Sequence, residues 1–396
     1  MSKTVLEAGI RDQRLDSYIE SEGTLPAGGT FSPFSNVVKR FSWTPDAGIE
    51  ARRGIGGVDP VEHDTGLETH TATIAYLLQG TIAANTPLYE AFSRDSDQLL
   101  AARTIVQREL HHDGGSASNG VRTYVVLEGC KPASAKIPGD PGSAGPIEAE
   151  ITYTAERGRS YEISQPSAAS VLVLASTEAG DAGATITVQS DDNATQEAVV
   201  LTGTNVTTTA SFTTLDAIEL ATDIVGTLTV TEGPAGATLV TILGSNSYGN
   251  SEGDFGVPVI PTSGTRVAAA TGTYEKFLGD TITYGGGDLA FDINSAELSV
   301  DNSVEVRPIN DTRRQRVIEG NRTLQLTATV LGETEYQDQI TRHLTASAAN
   351  IVWTLTNSVL TLAGAALVKI GDKTVEAGQA YMQISDTFEG TAITIA

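Results

Sequence analysis

Apolar and polar residues alternate with a period of two along much of this chain. Four segments show the pattern most plainly, namely 69–79, 147–154, 295–301 and 323–330. In the first of them Ala72, Ile74 and Tyr76 share one face, and Thr71 and Thr73 share the other. Because successive side chains of a strand point to opposite faces of a sheet, the alternation predicts sheets with one buried and one polar face. The fold class that we expect is therefore mostly β.

Helices are predicted at two places. Thr86 and Pro87 fit an N-cap followed by proline at the first helical position, and they would open a helix over 88–100. Residues 333–344 place apolar side chains at i, i+4 and i+8, a stripe that would pack against a sheet.

The middle of the chain differs in composition from its flanks. Between 166 and 246, Phe212 is the only aromatic residue, and short apolar runs alternate with Gly, Asn and Asp turns. Such spacing is typical of a small β-sandwich. We therefore predict one domain in two halves, over 1–165 and 263–396, split by an inserted β-sandwich domain over 166–262.

Acidic residues outnumber basic ones by 49 to 25, which gives a net charge of −24. A surface that grips nucleic acid needs clustered Lys and Arg, so this balance argues against one. Only seven of the 25 basic residues are lysines. An acid excess with few lysines suits concentrated salt, because at ~1 M the Debye length is about 3 Å and carboxylate repulsion is screened. An ordinary acidic cytoplasmic protein is the alternative.

Neither an export signal nor a membrane-spanning run is evident in the sequence, and the single cysteine, Cys130, excludes an internal disulfide. We expect Cys130 to be a small buried apolar residue.

No segment carries a convincing catalytic, cofactor or metal motif. The glycine-rich segment 54–57 lacks the Lys-Ser/Thr of a phosphate loop, and the adjacent residues His111–Asp113 lack further ligands. Glu148 and Glu150 share one strand face, but such pairs arise by composition in so acidic a chain. The sequence therefore predicts a protein that is not an enzyme and needs no cofactor.

The order and text of several segments resemble tail tube proteins of long-tailed viruses. The N-terminal SYIESEGTLPAGGTF, the long connection over 43–67 and the strand THTATIAYLLQG resemble the start of that family. The run GDTITYGGGDLAFDINSAELSVDNSVEVRPIN resembles a later part, in which a strand ends in Asp301-Asn302 and Glu319-Gly320 precedes a long Thr-rich strand. With the acidic composition, the chain is most similar to tube proteins of tailed viruses that infect haloarchaea.

The resemblance implies a tail-tube-type β-sandwich or barrel with a flanking helix. Subunits of that family form rings, usually hexameric, that stack into a tube through which DNA passes without specific binding. The partners implied are further copies of the chain and the tape-measure, tail-terminator and baseplate proteins. The location implied is the virion tail, after assembly in the host cytoplasm.

Candidate assembly residues lie in two arginine-bearing stretches. The long connection over 43–67 lacks periodicity, and such long loops in compact domains are usually functional. We predict that it mediates ring stacking and that the basic run near 313–316 pairs with carboxylates of a neighbouring subunit. The residues predicted are Arg52, Arg53, Gly54, Gly56, Gly57, Asp59, Arg313, Arg314 and Arg316.

Two other functional classes remain open from the sequence. One is a surface or decoration protein of a capsid or cell wall that binds glycans through the central sandwich. The other is an acidic hydrolase with a β-fold, which would need a cleft with perturbed carboxylates.

Overall fold

The computed structural model describes most of the 396 residues. The described ranges are 12–19, 31–33, 38–46, 50–53, 60–64, 68–84, 86–95, 98–111, 120–140, 145–190, 195–203, 205–248, 253–259, 273–277, 280–285, 287–288, 293–308, 315–331, 334–371 and 383–396.

The described residues form a mostly β protein with two helices, so the predicted fold class is confirmed at that level. The helices are α1 (Pro87–Phe92) and α2 (Thr334–Thr345). The strands are β1 (Asp12–Ile19), β2 (Phe31–Pro33), β3 (Val38–Asp46), β4 (Glu50–Arg53), β5 (Pro60–Asp64), β6 (Thr69–Leu77), β7 (Arg103–His111), β8 (Val121–Gly139), β9 (Glu148–Ala155), β10 (Arg157–Ser164), β11 (Ser170–Ser176), β12 (Thr185–Gln189), β13 (Gln196–Val200), β14 (Asn205–Phe212), β15 (Ala217–Leu220), β16 (Leu228–Glu232), β17 (Thr238–Ile242), β18 (Gly256–Val257), β19 (Thr281–Tyr284), β20 (Gly287–Asp288), β21 (Ile293–Asp301), β22 (Glu305–Pro308), β23 (Gln315–Ile318), β24 (Thr323–Leu331), β25 (Ala348–Thr354), β26 (Val359–Lys369), β27 (Gln383–Gly390) and β28 (Ala392–Ile395).

Strand β8 links two sheets, because its 19 residues pair with different partners in each half. Residues 121–130 pair with β7 and β10, whereas 131–139 pair with β9 and β21. Gly129 lies at the junction with φ +63°, and a Cβ there would come within 2.5 Å of the Glu156 side chain. A residue with a side chain would therefore strain the turn between the halves. We call the sheet of β2, β1, β7, β8 and β10 the outer sheet.

The second sheet, which we call the main sheet, runs from β3 through β6, β9, β8, β21, β24, β27, β26 and β25 to β19 and β20. Its predicted apolar faces are confirmed, since Ala72, Ile74 and Tyr76 are buried and so are Leu298 and Val300. One core, which we call the first core, joins side chains from both ends of this sheet with Ile105 and Leu127 of the outer sheet. The main sheet therefore curls around a shared interior.

Two further four-stranded sheets form a sandwich. Their strand orders are β14-β11-β16-β17 and β13-β12-β15-β18, and all eight strands lie between Ser170 and Val257. They fall within the range 166–262 predicted for an inserted domain, whose boundaries stay a prediction. The sandwich and the facing side chains of the outer sheet enclose a separate core, which we call the second core. Leu172, Ile186 and Phe212 are fully buried in it. Alternating valine, leucine and isoleucine residues make up most of this core, and Phe212 and Phe255 are the aromatic side chains that the sandwich itself contributes.

Helix α1 begins as predicted but ends earlier. The Thr86 side chain accepts a hydrogen bond from Tyr89 N, and Pro87 occupies the first turn. The helix ends at Phe92 instead of near residue 100, and the chain then turns back, with Leu99 N donating to the Asp95 carboxylate at 2.8 Å. The side-chain oxygen of Asp95 thus offers the backbone a partner outside the helix.

The long connection over 43–67 lacks periodicity in the sequence, yet part of it forms regular structure. Strands β4 and β5 pair as an antiparallel ribbon, with Ala51 opposite His63 and Arg52 opposite Glu62. The ribbon is a separate two-stranded sheet. Sequence periodicity missed it because its strands are only four and five residues long.

Neither α1 nor α2 has the length and apolar character that a helix needs to cross a membrane.

Asn302 connects three parts of the fold at the end of β21. It is fully buried, and its Nδ2 donates to the carbonyls of Ala91 at 3.1 Å and Pro132 at 2.9 Å. Arg322 donates to the carbonyl of Phe92 at 2.9 Å, so two side chains satisfy the last carbonyls of α1. The Asp-Asn ending seen in the sequence is thus a buried anchor between α1, β8 and β21.

We expect Asn302→Ala to lower the free energy of unfolding by about 1–3 kcal/mol, because two buried carbonyls lose their donor. Urea denaturation followed by circular dichroism measures the effect. Asn321→Ala, at an exposed position of the same region, is the matched control. Equal stability of the two variants would contradict the anchoring role.

Candidate functional site

A broad polar face covers the main sheet on the side away from the first core. Its centre is an open groove of about 240 Å³ across β9, β8, β21 and β24. The groove is lined by Ser134, Ala135, Lys136, Glu150, Thr152, Glu297, Ser299, Val300, Asp301, Thr323 and Gln325. Nine of these eleven residues carry polar or charged side chains, and we call this surface the polar face.

The polar face is acidic. Three carboxylates, Glu150, Glu297 and Asp301, line the groove beside one cation, Lys136. Lys136 Nζ lies 2.9 Å from Glu150, and Arg40 on β3 also pairs with that carboxylate. Thr73 and Thr152 hydroxyls lie 3.3 Å apart across neighbouring strands. Both cations remain partly exposed, but each is paired with Glu150, and the described residues of the face form no larger cluster of cations for a polyanion to bind.

The sandwich packs on the face of the outer sheet that points away from the first core. Val106 and Val126 of the outer sheet belong to the second core, whereas their neighbours Ile105 and Leu127 point into the first core. The outer sheet therefore contacts the first core near Ile105 and Leu127 and the second core on its opposite face, while Ser160 and Glu162 of β10 stay exposed. The layers are stacked in the order polar face, main sheet, first core, outer sheet and sandwich.

A buried ionic cluster fixes the sandwich to the outer sheet. Asp216, directly before β15, accepts hydrogen bonds from Arg122 at 2.9 Å and from the Tyr124 hydroxyl. Arg108 Nη1 lies 3.2 Å from the same carboxylate. Asp216 is 4 % exposed and Arg122 is 1 % exposed. Burial and the carboxylate together raise the pKa of Tyr124 well above its usual value.

A second cluster lies where the chain leaves the sandwich. Arg159 on β10 donates to Asp254 at 3.0 Å and to Glu68 at 3.1 Å. Gly256 N donates to the Tyr161 hydroxyl at 2.9 Å. The sandwich enters directly after β10 and contacts β10 again where it ends, so it has a fixed orientation on the outer sheet.

We expect Asp216→Ala to lower the free energy of unfolding by about 3–5 kcal/mol, since it leaves two arginines in a buried site without their shared carboxylate. Glu178→Gln, at an exposed position of the sandwich, is the control. Chemical denaturation measures both variants. A loss no larger than that of Glu178→Gln would show that the cluster does not hold the two parts together.

Three of the nine predicted assembly residues lie on two ribbons. Arg52 and Arg53 lie on β4, and the exposed Arg316 lies on β23, which pairs with β22. On β22, Arg307 pairs with Glu305 at 2.6 Å. The structure places the two ribbons in separate sheets, and the predicted roles stay predictions. The other predicted residues lie outside the described residues, and they are Gly54, Gly56, Gly57, Asp59, Arg313 and Arg314.

Sequence reasoning missed the ionic cluster under the sandwich. A signal was present, because Arg122 alternates with Tyr124 and Val126, and Arg159 alternates with Tyr161, at positions that face a core. Arginine at an apolar-face position indicates a buried carboxylate partner.

Among the described residues, no group of three or more His, Cys, Asp and Glu side chains is arranged to hold a metal ion. Cys130 is buried, as expected. Five described carboxyls have a shifted pKa, and in Asp280 and Asp386 the pKa rises to about 6. Burial raises the pKa of Asp280 to about 6, with Glu275 adding to the rise and a hydrogen bond from Trp353 opposing it. Burial likewise raises the pKa of Asp386 to about 6.

The Asp280 carboxyl makes stability depend on pH. Its folded pKa, about 6, exceeds the unfolded value, 3.8, so the folded state holds the proton more tightly. The stabilising contribution of the protonated Asp280 carboxyl is fully present below pH 3.8 and is lost as the pH rises to about 6. We expect Asp280→Asn, which can still accept from Trp353, to flatten the fall in unfolding free energy between about pH 4 and 6. Denaturation across that range, with Asp301→Asn as control, measures it; parallel curves for wild type and Asp280→Asn would contradict it.

Comparison with known proteins gives limited similarity. No protein-family model matches the chain, and no curated protein matches it. Twelve chains of solved structures match. One is described as the extracellular contractile injection system PVC sheath–tube complex in its extended state, solved by cryo-EM; it is 14% identical, with 30% of this chain and 87% of that chain covered and a TM-score of 0.25. A score this low does not establish a shared fold, so any function proposed for this chain rests on its own residues.

Proposed function

We propose that this chain is a structural subunit that assembles with copies of itself into a tube, as the tail tube proteins that its sequence resembles do. The observation that carries the proposal is the polar face, an extended surface of hydroxyls and carboxylates on a curved sheet. In the assembly this face lines the lumen.

An acidic, hydroxyl-rich lumen suits the passage of DNA. A protein holds DNA through Lys and Arg contacts to phosphates, and each such contact slows movement along the strand. Around the groove the described cations, Lys136 and Arg40, contact Glu150. Carboxylates repel phosphates over distances set by the ionic strength. The duplex therefore slides along the wall without a specific binding site.

The open edges of the main sheet support ring formation. Among the described strands, β3 pairs with β6 alone, and β20 at the far end pairs with β19 alone. Unpaired edges favour pairing with another chain. Two different edges on one subunit give a heterologous contact, which closes into a ring when the rotation between subunits is suitable.

The finer features of the proposal derive from the resemblance. Six subunits form each ring, and rings stack through the β4–β5 ribbon and the arginines near β23. Tape-measure, tail-terminator and baseplate proteins bind the finished tube, which belongs to the virion of a tailed virus adapted to concentrated salt. The chain has no enzymatic activity and needs no cofactor.

Electron microscopy of the purified full chain tests the proposal. In concentrated salt, negative-stain images should show rings or tubes with a central hole. Compact isolated particles at every salt and protein concentration would overturn the proposal. They would favour instead a surface protein that binds glycans through the sandwich, which glycan binding by the same sample would then test.

Ring stacking makes a separate prediction. Reversing the charge of the ribbon in Arg52→Glu/Arg53→Glu should leave rings but shorten or abolish tubes, because arginines that meet carboxylates of the next ring would be replaced by groups that repel them. Arg52→Lys/Arg53→Lys keeps the charge and is the matched control. Tube length distributions from micrographs measure the effect, and normal tubes from the Glu variant would rule out this role for the ribbon.

A further inference from the structure

Two arginines beside the C-terminal end of α1 lack a carboxylate partner. Arg94 follows α1, and Arg322 directly precedes β24. The arginines of β7, β8 and β10 all contact a carboxylate. Within the described part of the chain, by contrast, Arg94 and Arg322 hydrogen-bond to backbone carbonyls and form no ion pair. In a chain with a net charge of −24, two neighbouring cations without a counter-charge are an exception.

Reciprocal hydrogen bonds hold the two guanidinium groups close together. Arg94 Nη2 donates to the carbonyl of Gly320 at 2.9 Å, and Arg322 Nη1 donates to the carbonyl of Phe92 at 2.9 Å. Each arginine therefore contacts the backbone two residues before the other one. Burial and the nearby charge of Arg94 lower the pKa of Arg322 from its usual value. Both side chains are partly exposed, so solvent and solutes reach the pair.

The described carboxylates that lie nearest in sequence have other partners. Glu319 accepts a hydrogen bond from Lys131 Nζ at 2.6 Å. This Lys131–Glu319 pair is neutral as a whole, so it does not compensate the two arginines. The Asp95 carboxylate accepts from Leu99 N at 2.8 Å and forms no ion pair with the guanidinium that precedes it. The local charge is therefore positive on a chain that is acidic elsewhere.

Several N–H donors of the two guanidinium groups have no acceptor. An arginine carries five N–H donors in a planar fork. Arg322 uses Nη1 for the carbonyl of Phe92 and makes no further hydrogen bond to a described residue, which leaves its Nε–Nη2 edge available. Arg94 Nε is enclosed and also lacks an acceptor. A free guanidinium edge matches two oxygens of a carboxylate or phosphate in a bidentate contact.

We propose that Arg322, with Arg94 beside it, forms a binding site for an oxyanion that presents two oxygens side by side. Two sources supply this chemistry, namely an inorganic anion such as phosphate and a carboxylate side chain of a second copy of the chain. The inference goes beyond the proposed tube function and does not depend on it, since single subunits already contain both arginines.

The physical effect of the ligand follows from its position between two like charges. A bidentate contact selects groups with two adjacent oxygens, and the second guanidinium adds attraction at short range. Because partly buried pairs are screened less than exposed ones, the contact persists in concentrated salt. An occupied site relieves the repulsion between Arg94 and Arg322. Binding should therefore stabilise the junction of α1 with the start of β24.

Isothermal titration calorimetry with inorganic phosphate, at neutral pH and constant ionic strength, tests the site on dissociated full-length subunits. The wild type should bind a single phosphate per chain. Arg322→Lys keeps the charge and a donor for the Phe92 carbonyl but lacks the fork. Its affinity should fall about tenfold or more, the loss expected for one charge-assisted hydrogen bond. Arg307→Lys, the same change at an exposed arginine paired with Glu305, is the matched control and should bind like the wild type.

The site is overturned if the wild type binds no phosphate, or if Arg322→Lys binds it as tightly as the wild type. Circular dichroism establishes that each variant is folded. Arg94→Lys takes the place of Arg322→Lys if the latter does not fold, and it should weaken binding in the same direction because Arg94 supplies the second charge.

Sedimentation velocity distinguishes the two sources of the oxyanion. If a second copy supplies a carboxylate, phosphate should compete with it and dissociate wild-type assemblies, and Arg322→Lys should assemble less than Arg307→Lys. If the ligand is a free anion, phosphate should bind without changing the sedimentation of the wild type. Either result supports the site and assigns its ligand, whether or not the assemblies are tubes.

Discussion

Strand β8 ties the two sides of the molecule together, because its 19 residues belong to two sheets. Its first half turns Tyr124 and Val126 toward the sandwich, and its second half turns Ser134 and Lys136 toward the groove. The change of partners occurs at Gly129, which needs a positive φ. A shift of register in this strand would therefore alter the ionic cluster and the polar face together.

Buried charge in this protein is shared between two segments that are far apart in sequence. A buried ion pair contributes little net stability compared with an apolar pair, but loss of one partner is costly. The cluster of Asp216, Arg108 and Arg122 therefore mainly fixes the orientation of the sandwich on the outer sheet. Any arrangement that separates the arginines from the carboxylate would leave a buried charge unpaired. Apolar contacts in the second core stabilise the packing of the sandwich on the outer sheet, and the ionic cluster restricts this packing to one orientation.

Local signals in the sequence predicted local structure well. The faces of β6, β9, β21 and β24 agree with the alternation, and the start of α1 agrees with Thr86 and Pro87, because near neighbours decide both. The end of α1 at Phe92 was not predicted, since the residues that follow it make contacts distant in sequence, such as the hydrogen bond from Arg94 to the carbonyl of Gly320. The cluster at Asp216 likewise joins residues 94 positions apart. Pairing at such separations depends on the fold as a whole, so an arginine at an apolar-face position indicates that a carboxylate partner exists but not which residue it is.

The docked sandwich also affects how the two parts of the main sheet, which the insertion separates in sequence, come together. Strands β8 and β21 are neighbours, yet the whole insertion lies between them in sequence. The entropic cost of closing a flexible loop rises with its length. Here Gly256 N donates to Tyr161, so the chain leaving the sandwich returns to the strand that enters it. A folded sandwich thus shortens the effective loop between β8 and β21, and the pairing of Asp216 and Asp254 with arginines of β8 and β10 favours this docked orientation.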